Sequence, residues 1–160
     1  MIRQEILERI QQKGYFIPQE FVSETVYQRY RDDSWQFIST DLLYVMLVIR
    51  EKLAKPITIN NWHRGGMMQQ RGLRDNLTPI FKKKFVQDTL YLSGHVLGMA
   101  VDFDVAGMTA SEVRVWLVKN ADALPCKIRL ENLLRGEPIS WVHLDVKYVE
   151  SNPKVYLFNV

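Results

Sequence analysis

Cysteine and histidine are both scarce in this sequence. Its 160 residues include one cysteine, Cys126, and three histidines. A single cysteine excludes an intramolecular disulfide, and it fits a reducing compartment or indifference to redox state. Because there are only three histidines, the position of each one carries information about function.

Long apolar runs, low-complexity segments and internal repeats are also missing. No run approaches the roughly 20 apolar residues of a membrane span, and the longest, residues 42–49, indicates a buried helix. The first residues do not resemble a signal peptide, because Arg3, Glu5 and Glu8 interrupt what would be its apolar core. We therefore expect synthesis in the cytoplasm without a secretion signal.

The charge of the chain is nearly balanced. The net charge is +3, from 21 basic and 18 acidic residues. This is too small to argue for nucleic acid, although it would favour approach to an anionic polymer such as a bacterial cell wall. The apolar fraction of 47% and the charged fraction of 24% are ordinary for a soluble globule. The length predicts one domain over residues 1–160, and we expect a monomer.

Two stretches with period-two alternation contain the most informative residues. In residues 99–105 and again in 140–147, apolar and polar side chains alternate, which is typical of a strand with one buried face. Two such strands of one sheet can place Asp102 and His143 on a common polar face, and His95 would enter from the preceding loop. Two imidazoles and a carboxylate suit a zinc ion with an open fourth position. The alternative is ordinary hydrogen-bonded histidines.

The spacing of these residues resembles that of a known family. Ser-x-His at residues 93–95 is followed by Gly98, Ala100 and Asp102, and far downstream by Trp-x-His at residues 141–143. This pattern resembles the zinc D-alanyl-D-alanine carboxypeptidase family. That family includes phage L-alanyl-D-glutamate endolysins, D,D-dipeptidases and the related hedgehog signalling domain.

The resemblance covers roughly residues 40–158 and implies a zinc ion held by His95, Asp102 and His143. It also implies a metallopeptidase, a carboxypeptidase or an endopeptidase, that hydrolyses a D,D- or L,D-type bond in peptidoglycan stem peptides. A phage or prophage enzyme of this kind would reach the cell wall through a separate pore. Residues 1–39 would be a helical N-terminal scaffold.

The general base is where the sequence departs from the family. Many endolysins and dipeptidases of the family have an acidic residue three positions before the last histidine, where this chain has Ser140. Glu137, six positions before His143, has a spacing that resembles the hedgehog branch, and Glu131 on the preceding strand is the second candidate. Asp145 could instead orient a ligand imidazole. The alternative function is a cell-wall-binding or structural module that keeps zinc but lacks a competent base.

An arginine is also expected at the substrate crevice. In the family, a strand ending in a Gly-aromatic-Arg turn contributes it, and here the predicted strand 57–60 leads to Arg64. A guanidinium can bind a carboxylate or polarise a carbonyl through paired hydrogen bonds. The alternative is that Arg64, like Arg71 and Arg74, is a solvated loop charge.

The pattern of elements predicts an α+β fold, a mainly antiparallel sheet with helices on one face and the zinc site on the opposite polar face. The long connection 65–92 is expected to be a functional flap, and its lysine run a solvated surface.

Helices are predicted at residues 2–12, 16–30, 40–53 and 110–120. Ser34 or Thr40 is the expected cap of the third helix. Thr109 and Glu112 have the spacing of a capping box at the start of the fourth. The fourth helix, with Val113, Trp116 and Leu117 on one face, is expected to cover the apolar side of the two motif strands. The chain is expected to end in a three-strand meander at 127–131, 140–147 and 155–158, with Ile128 and Leu130 facing inward.

Overall fold

The computed structural model describes residues 1–150 and 152–160 of the chain. Over these ranges the chain forms six α-helices and one six-stranded, mainly antiparallel sheet, which confirms the predicted α+β class. The helices are α1 (Arg3–Lys13), α2 (Pro18–Phe21), α3 (Glu24–Tyr30), α4 (Thr40–Leu53), α5 (Pro79–Val86) and α6 (Ala110–Lys119). The strands are β1 (Ile57–Thr58), β2 (Ala100–Val105), β3 (Ile128–Leu134), β4 (Glu137–Pro138), β5 (Val142–Asp145) and β6 (Val155–Asn159).

The two strands singled out by alternation are neighbours in the sheet. β2 pairs antiparallel with β5, and Asp102 lies directly opposite His143 in their register. On its other edge β2 pairs with β1, and β5 pairs in turn with β3. The common polar face of Asp102 and His143 therefore follows from strand pairing alone.

The end of the sheet differs from the predicted meander. β6 pairs with β3 in parallel, so the prediction of three successive antiparallel strands is wrong at its last step. The chain after β5 returns to the start of β3, where the carbonyl of Lys154 accepts a hydrogen bond from the N–H of Ile128 at 2.9 Å. β6 then runs alongside β3 in the same direction.

α4 is the central helix and has the bounds that its sequence predicts. Ser39 caps it by accepting a hydrogen bond from the N–H of Leu42 at 3.1 Å, so neither Ser34 nor Thr40, the expected caps, has this role. Its buried side chains are all apolar: Leu42, Leu43, Val45, Met46, Leu47 and Ile49. They join buried side chains of α1, α6 and the sheet in one continuous core.

α6 covers the apolar face of the motif strands, as predicted. Thr109 and Glu112 form the expected capping box at its start. Val113 and Leu117 are fully buried against β2 and β5, whereas Trp116, expected on the same face, is only partly buried. Because side chains alternate along a strand, the polar residues of β2 and β5 face away from α6.

Two predicted segments are divided differently. The sequence predicts one helix over residues 16–30, but the chain forms two there, α2 and α3. Ser23 lies between them and caps α3, because its hydroxyl accepts a hydrogen bond from the N–H of Val26. The connection 65–92 is not structureless, since it contains α5. Among the described residues, no helix combines the length and the apolar character needed to cross a bilayer.

Candidate metal centre

His95, Asp102 and His143 converge at one point, and we call them the His–Asp–His cluster. The Nε2 atom of His95 lies 3.3 Å from Nδ1 of His143 and 3.4 Å from Oδ2 of Asp102. Oδ1 of Asp102 lies 2.7 Å from Nδ1 of His143. One ligand atom from each of the three residues lies within 4.8 Å of the others, so the group could hold a metal ion.

His95 reaches the cluster from a tight turn before β2. The N–H of Met99 donates to the carbonyl of Gly94 at 2.8 Å and closes this turn. Gly98 adopts a φ of +64°, and a side chain there would overlap the backbone carbonyl of Phe37. The turn is therefore fixed by a position that admits only glycine, and His95 is only 2% exposed.

The neutral tautomer of His95 is set by one backbone contact. Its Nδ1 atom lies 2.8 Å from the carbonyl oxygen of Gly72, which can only accept, so Nδ1 carries the proton. The other ring nitrogen, Nε2, is then the one that offers a lone pair to the cluster. Gly72 itself packs against the backbone of Phe21, where any side chain would overlap, so the position requires glycine.

His143 is held from its other side by a carboxylate. Its Nε2 atom lies 3.4 Å from Oδ2 of Asp145, and Nδ1 faces Asp102. Arg129 holds Asp145 through paired hydrogen bonds of 2.7 and 2.8 Å, and its guanidinium stacks over the ring of Phe158 at 4.7 Å. Asp145 therefore has the orienting position considered for it in the sequence, with its second partner supplied by β3.

Arg74 is the arginine that contacts the cluster. One of its Nη atoms donates to Oδ2 of Asp102 at 3.0 Å, and the other donates to the hydroxyl of Tyr91 at 2.9 Å. Its Nε donates to the carbonyl of Gln70 at 2.8 Å. These contacts fix the guanidinium, so it offsets the buried charge of Asp102.

Charge and burial displace the pKa values of the cluster in opposite directions. Burial alone would raise the pKa of Asp102, but the hydrogen bond with His143 and the proximity of His95 hold that pKa well below its usual range. Burial likewise lowers the pKa of His143, but hydrogen bonds to Asp102 and Asp145 outweigh it and raise that pKa to about 9. The paired arrangement with Arg129 lowers the pKa of Asp145 to about 2, against the effect of its burial.

The polar face of β2 is more enclosed than alternation predicts. Asp102 is buried, because its N–H donates to the carbonyl of Arg71 at 2.7 Å and the connection 71–98 covers it. Asp104, the other polar residue on this face, is about half exposed and pairs with the guanidinium of Arg71. Of the three cluster residues, His143 is the most exposed.

The two glutamates predicted as general base lie in different environments. Asn132 faces the α6 side of β3, where it lines a groove with Val115 of that helix. Arg129, two positions before Glu131, holds Asp145 on the cluster side, so alternation from Arg129 places Glu131 on that face. The pairing of β3 with β6 becomes irregular between Glu131 and Leu133. Glu137 lies in β4 at the hairpin tip and is exposed. β3 runs on to Leu134, so Glu131 lies inside the strand and not at its end, as the sequence suggested.

Arg64 lies away from the cluster. It ends a short 3₁₀ helix, Trp62–Arg64, and its guanidinium forms an ion pair of 3.7 Å with Glu20 of α2. More than half of its side chain is exposed. The structure thus brings together all three predicted metal ligands, and it pairs Arg64 with the N-terminal helices.

Three residues of the centre have no role in the sequence-based prediction: Gly72, Arg74 and Arg129. For Arg129 a signal was available, because Ile128 and Leu130 were expected to face inward, which leaves Arg129 on the polar face beside β5. Gly72 and Arg74 lie in an irregular connection with no period, so nothing in the sequence places them.

Comparisons with models of known protein families, with curated proteins and with solved structures find no match. What this centre does is therefore inferred from its own geometry and donor chemistry, together with the motif residues that it contains.

Proposed function

We propose that the chain is a zinc-dependent peptidase that hydrolyses a peptide bond in bacterial peptidoglycan stem peptides. The observation that carries the proposal is the convergence of His95, Asp102 and His143 from three separate parts of the chain. A phage or prophage origin, and D,D- or L,D-type cleavage, belong to the same proposal through the motif resemblance.

The donor set and its spacing support zinc as the ion. Donors bonded at about 2.0–2.1 Å to a tetrahedral ion lie roughly 3.3–3.4 Å apart. The two separations from Nε2 of His95, 3.3 Å to His143 and 3.4 Å to Asp102, agree with that spacing. The third, 2.7 Å between Asp102 and His143, is a hydrogen bond whose proton the ion would replace.

The number of donors favours a catalytic over a structural zinc site. Within the described residues the group has three members, His95, Asp102 and His143. Structural zinc sites use four protein ligands, whereas catalytic sites use three and leave one position open. When bound, zinc would supply a Lewis acid that activates water and polarises a scissile carbonyl.

The surrounding residues have separate tasks in this proposal. Gly72 and Asp145 fix the orientation of the two imidazoles, so that each presents the correct nitrogen. A carboxylate must accept a proton during attack and return it to the leaving amine. Arg64, largely exposed in its pair with Glu20, stays a prediction as the arginine that binds substrate.

Glu131 is the better supported proton acceptor. It shares the cluster face of β3 with Arg129, which holds Asp145. Its partner in β6 is Phe158, and the ring of Phe158 packs edge-on against His143 at 6.0 Å. Glu137, at the exposed hairpin tip, would need the hairpin to bend toward the cluster. Both residues remain candidates for the role.

The test is hydrolysis of purified peptidoglycan, with products identified by mass spectrometry. Exhaustive chelation should abolish release of stem-peptide fragments, and added zinc should restore it. Glu131→Gln should lower turnover by at least a hundredfold while the variant still binds zinc. Glu137→Gln is the matched variant and should stay within a few-fold of wild type. Hydrolysis that is unaffected by chelation would contradict the proposal.

The alternative is a zinc-containing module that binds the cell wall without cutting it. Ser140 supports it, because this exposed residue stands where many family members have the catalytic acid and a hydroxyl is no base at neutral pH. If wild-type protein binds zinc and peptidoglycan but releases no fragments, the module is the correct function. Equal turnover in Glu131→Gln, Glu137→Gln and wild type would instead require a base elsewhere in the chain.

A further inference from the structure

Exposed apolar side chains and lysines occur together around α5. None of the residues of α5 is buried. Phe85 is 77% exposed, and Val86 and Leu90 are each 84% exposed. Clustered apolar side chains with this exposure mark an interaction site. We call this region the α5 surface, which comprises Leu77, Lys82, Lys83, Lys84, Phe85, Val86, Leu90 and Leu92.

Two of the three lysines lie beside the exposed apolar residues of α5. Residues three and four apart are neighbours on a helix, so Lys82 lies beside Phe85 and Val86, and Lys83 lies beside Val86. Lys84 lies on another side of the helix and is only partly exposed. Phe81 is on the side facing the protein, where its ring contacts that of Tyr91 at 6.1 Å. The outward side of α5 is therefore both apolar and basic.

The charge of this surface is not compensated nearby. Residues 77–92 contain three lysines and one acidic residue, Asp88. Lys82, Lys83 and Lys84 form no ion pair with any other residue that the structure describes. The sequence alone suggested a solvated lysine run, but a solvated run needs no exposed phenylalanine and valine beside it.

We propose that the α5 surface docks the protein onto an anionic lipid bilayer. Phe85, Val86 and Leu90 would enter the boundary between headgroups and acyl chains, and the lysines would lie on lipid phosphates. An anionic wall polymer would satisfy the lysines but leave the apolar side chains in water. A bilayer surface complements both, and it needs no preformed groove.

Docking in this way would hold the His–Asp–His cluster beside the bilayer. The ring of Phe81 packs on Tyr91, the hydroxyl of Tyr91 accepts from Arg74, and Arg74 donates to Asp102. The α5 surface is thus attached to the centre through a short series of contacts. The inference goes beyond the proposed peptidase function and does not depend on it.

The test is co-sedimentation of the full chain with vesicles of phosphatidylglycerol and phosphatidylcholine. Wild-type protein should sediment with anionic vesicles, remain in solution with pure phosphatidylcholine, and be released at high salt. Replacing Lys82, Lys83 and Lys84 together by Gln should reduce partitioning on the order of a hundredfold. The double variant Phe85→Ser/Val86→Ser should reduce it roughly tenfold or more.

The matched control lies on the other side of the sheet. Val115→Ser/Val118→Ser removes two half-exposed valines from α6 and should leave vesicle binding unchanged. Thermal unfolding of each variant establishes that it is folded. Wild-type protein that stays in solution with anionic vesicles overturns the proposal, and so does equal sedimentation of wild type and Phe85→Ser/Val86→Ser. A dimer in gel filtration that this variant dissociates, without vesicle binding, would assign the surface to a second copy of the chain instead.

Discussion

The carbonyl oxygen of Gly72 lies 2.8 Å from Nδ1 of His95, and this contact decides which imidazole nitrogen faces the cluster. A backbone carbonyl can only accept, so the neutral ring must keep its proton on Nδ1 and offer Nε2. A residue from an irregular connection therefore controls the chemistry of a residue that the sequence motif contains. The first prediction follows from this contact.

Gly72→Ala should weaken metal binding as well as the fold. The added methyl group would overlap the backbone of Phe21, so the segment must shift and the carbonyl must move away from His95. We expect a loss of stability of about 1–3 kcal/mol and a drop in zinc affinity, measured by thermal unfolding and by competition with a chelating dye. Gly65→Ala is the control. The added methyl group would contact no atom beyond the adjacent residues there, so the only cost is the strain of a side chain at a φ of +81°. This variant should lose about 1 kcal/mol and leave zinc affinity unchanged, and equal affinities in both variants would contradict the account.

Asp145→Asn should lower zinc affinity without unfolding the protein. The amide keeps the shape of the carboxylate but loses the charge that draws the Nε2 proton of His143 and pairs with Arg129. Loss of such an orienting partner typically costs about 10–100-fold in metal affinity. Asp104→Asn is the matched control, since Asp104 forms a partly exposed pair with Arg71 on the same face of the sheet and does not contact the cluster histidines. Isothermal titration should show a change of less than about twofold for the control; a comparable loss there would remove the special role of Asp145.

Zinc binding at pH 7 should release about one proton. Burial lowers the pKa of His143, but its hydrogen bonds to Asp102 and Asp145 raise it to about 9, so the metal-free ring is protonated at neutral pH. The ion must displace that proton from Nδ1. Zinc affinity should therefore rise about tenfold per pH unit from pH 7 and level off near pH 9. Calorimetry in buffers of different ionisation enthalpy counts the proton, and binding without proton release would contradict this assignment.

Glu20→Gln should raise stability at neutral pH. Burial raises the pKa of Glu20, although a hydrogen bond from Ile17 and the charges of Arg64 and Arg50 oppose the shift. A raised pKa means that the folded state favours the protonated acid. The contribution of Glu20 to folding stability is therefore greatest at low pH and is lost as the carboxyl ionises. The Gln variant keeps an acceptor for the N–H of Ile17 and removes the buried charge. Its melting temperature should exceed that of wild type at pH 7, and the difference should shrink toward pH 4.

The absence of that pH dependence would mean that the ion pair with Arg64 compensates the burial of Glu20. Arg64→Gln serves as the control, because its guanidinium is more than half exposed. Glu20 is buried, but the pair is long, at 3.7 Å, and the guanidinium of Arg64 is solvated, so the pair should contribute no more than about 1 kcal/mol. The melting temperature of this variant should therefore follow that of wild type across the same pH range.

The regular parts of the fold and the ligand positions were accessible from the sequence. Polar and apolar residues alternate in β2 and β5, and a shared polar face follows once two such strands pair, so the sequence alone places Asp102 and His143 together. α4 and α6 have strong caps and apolar faces, and their bounds agree with the sequence patterns to within one residue.

The parts that were not accessible depend on long-range contacts. No local pattern distinguishes a parallel from an antiparallel final strand, because side chains alternate in both, and β6 was placed wrongly for that reason. Arg74 lies in an irregular connection, where charge alone does not tell a solvated side chain from one that holds Asp102. The sequence predicts which face of β3 carries Arg129, but it does not predict that Arg129 pairs with Asp145. That pairing depends on the register between β3 and β5.

The most direct test of the central claim is the metal content of the purified chain and its histidine variants, measured by elemental mass spectrometry after dialysis against zinc. Wild-type protein should retain about one zinc ion per chain, and His95→Ala and His143→Ala should retain almost none. His63→Ala is the matched control, because His63 is the third histidine of the chain and lies outside the cluster. Its zinc content should equal that of wild type. A wild-type chain without zinc, or His95→Ala and His143→Ala variants that keep the wild-type content, would contradict the account.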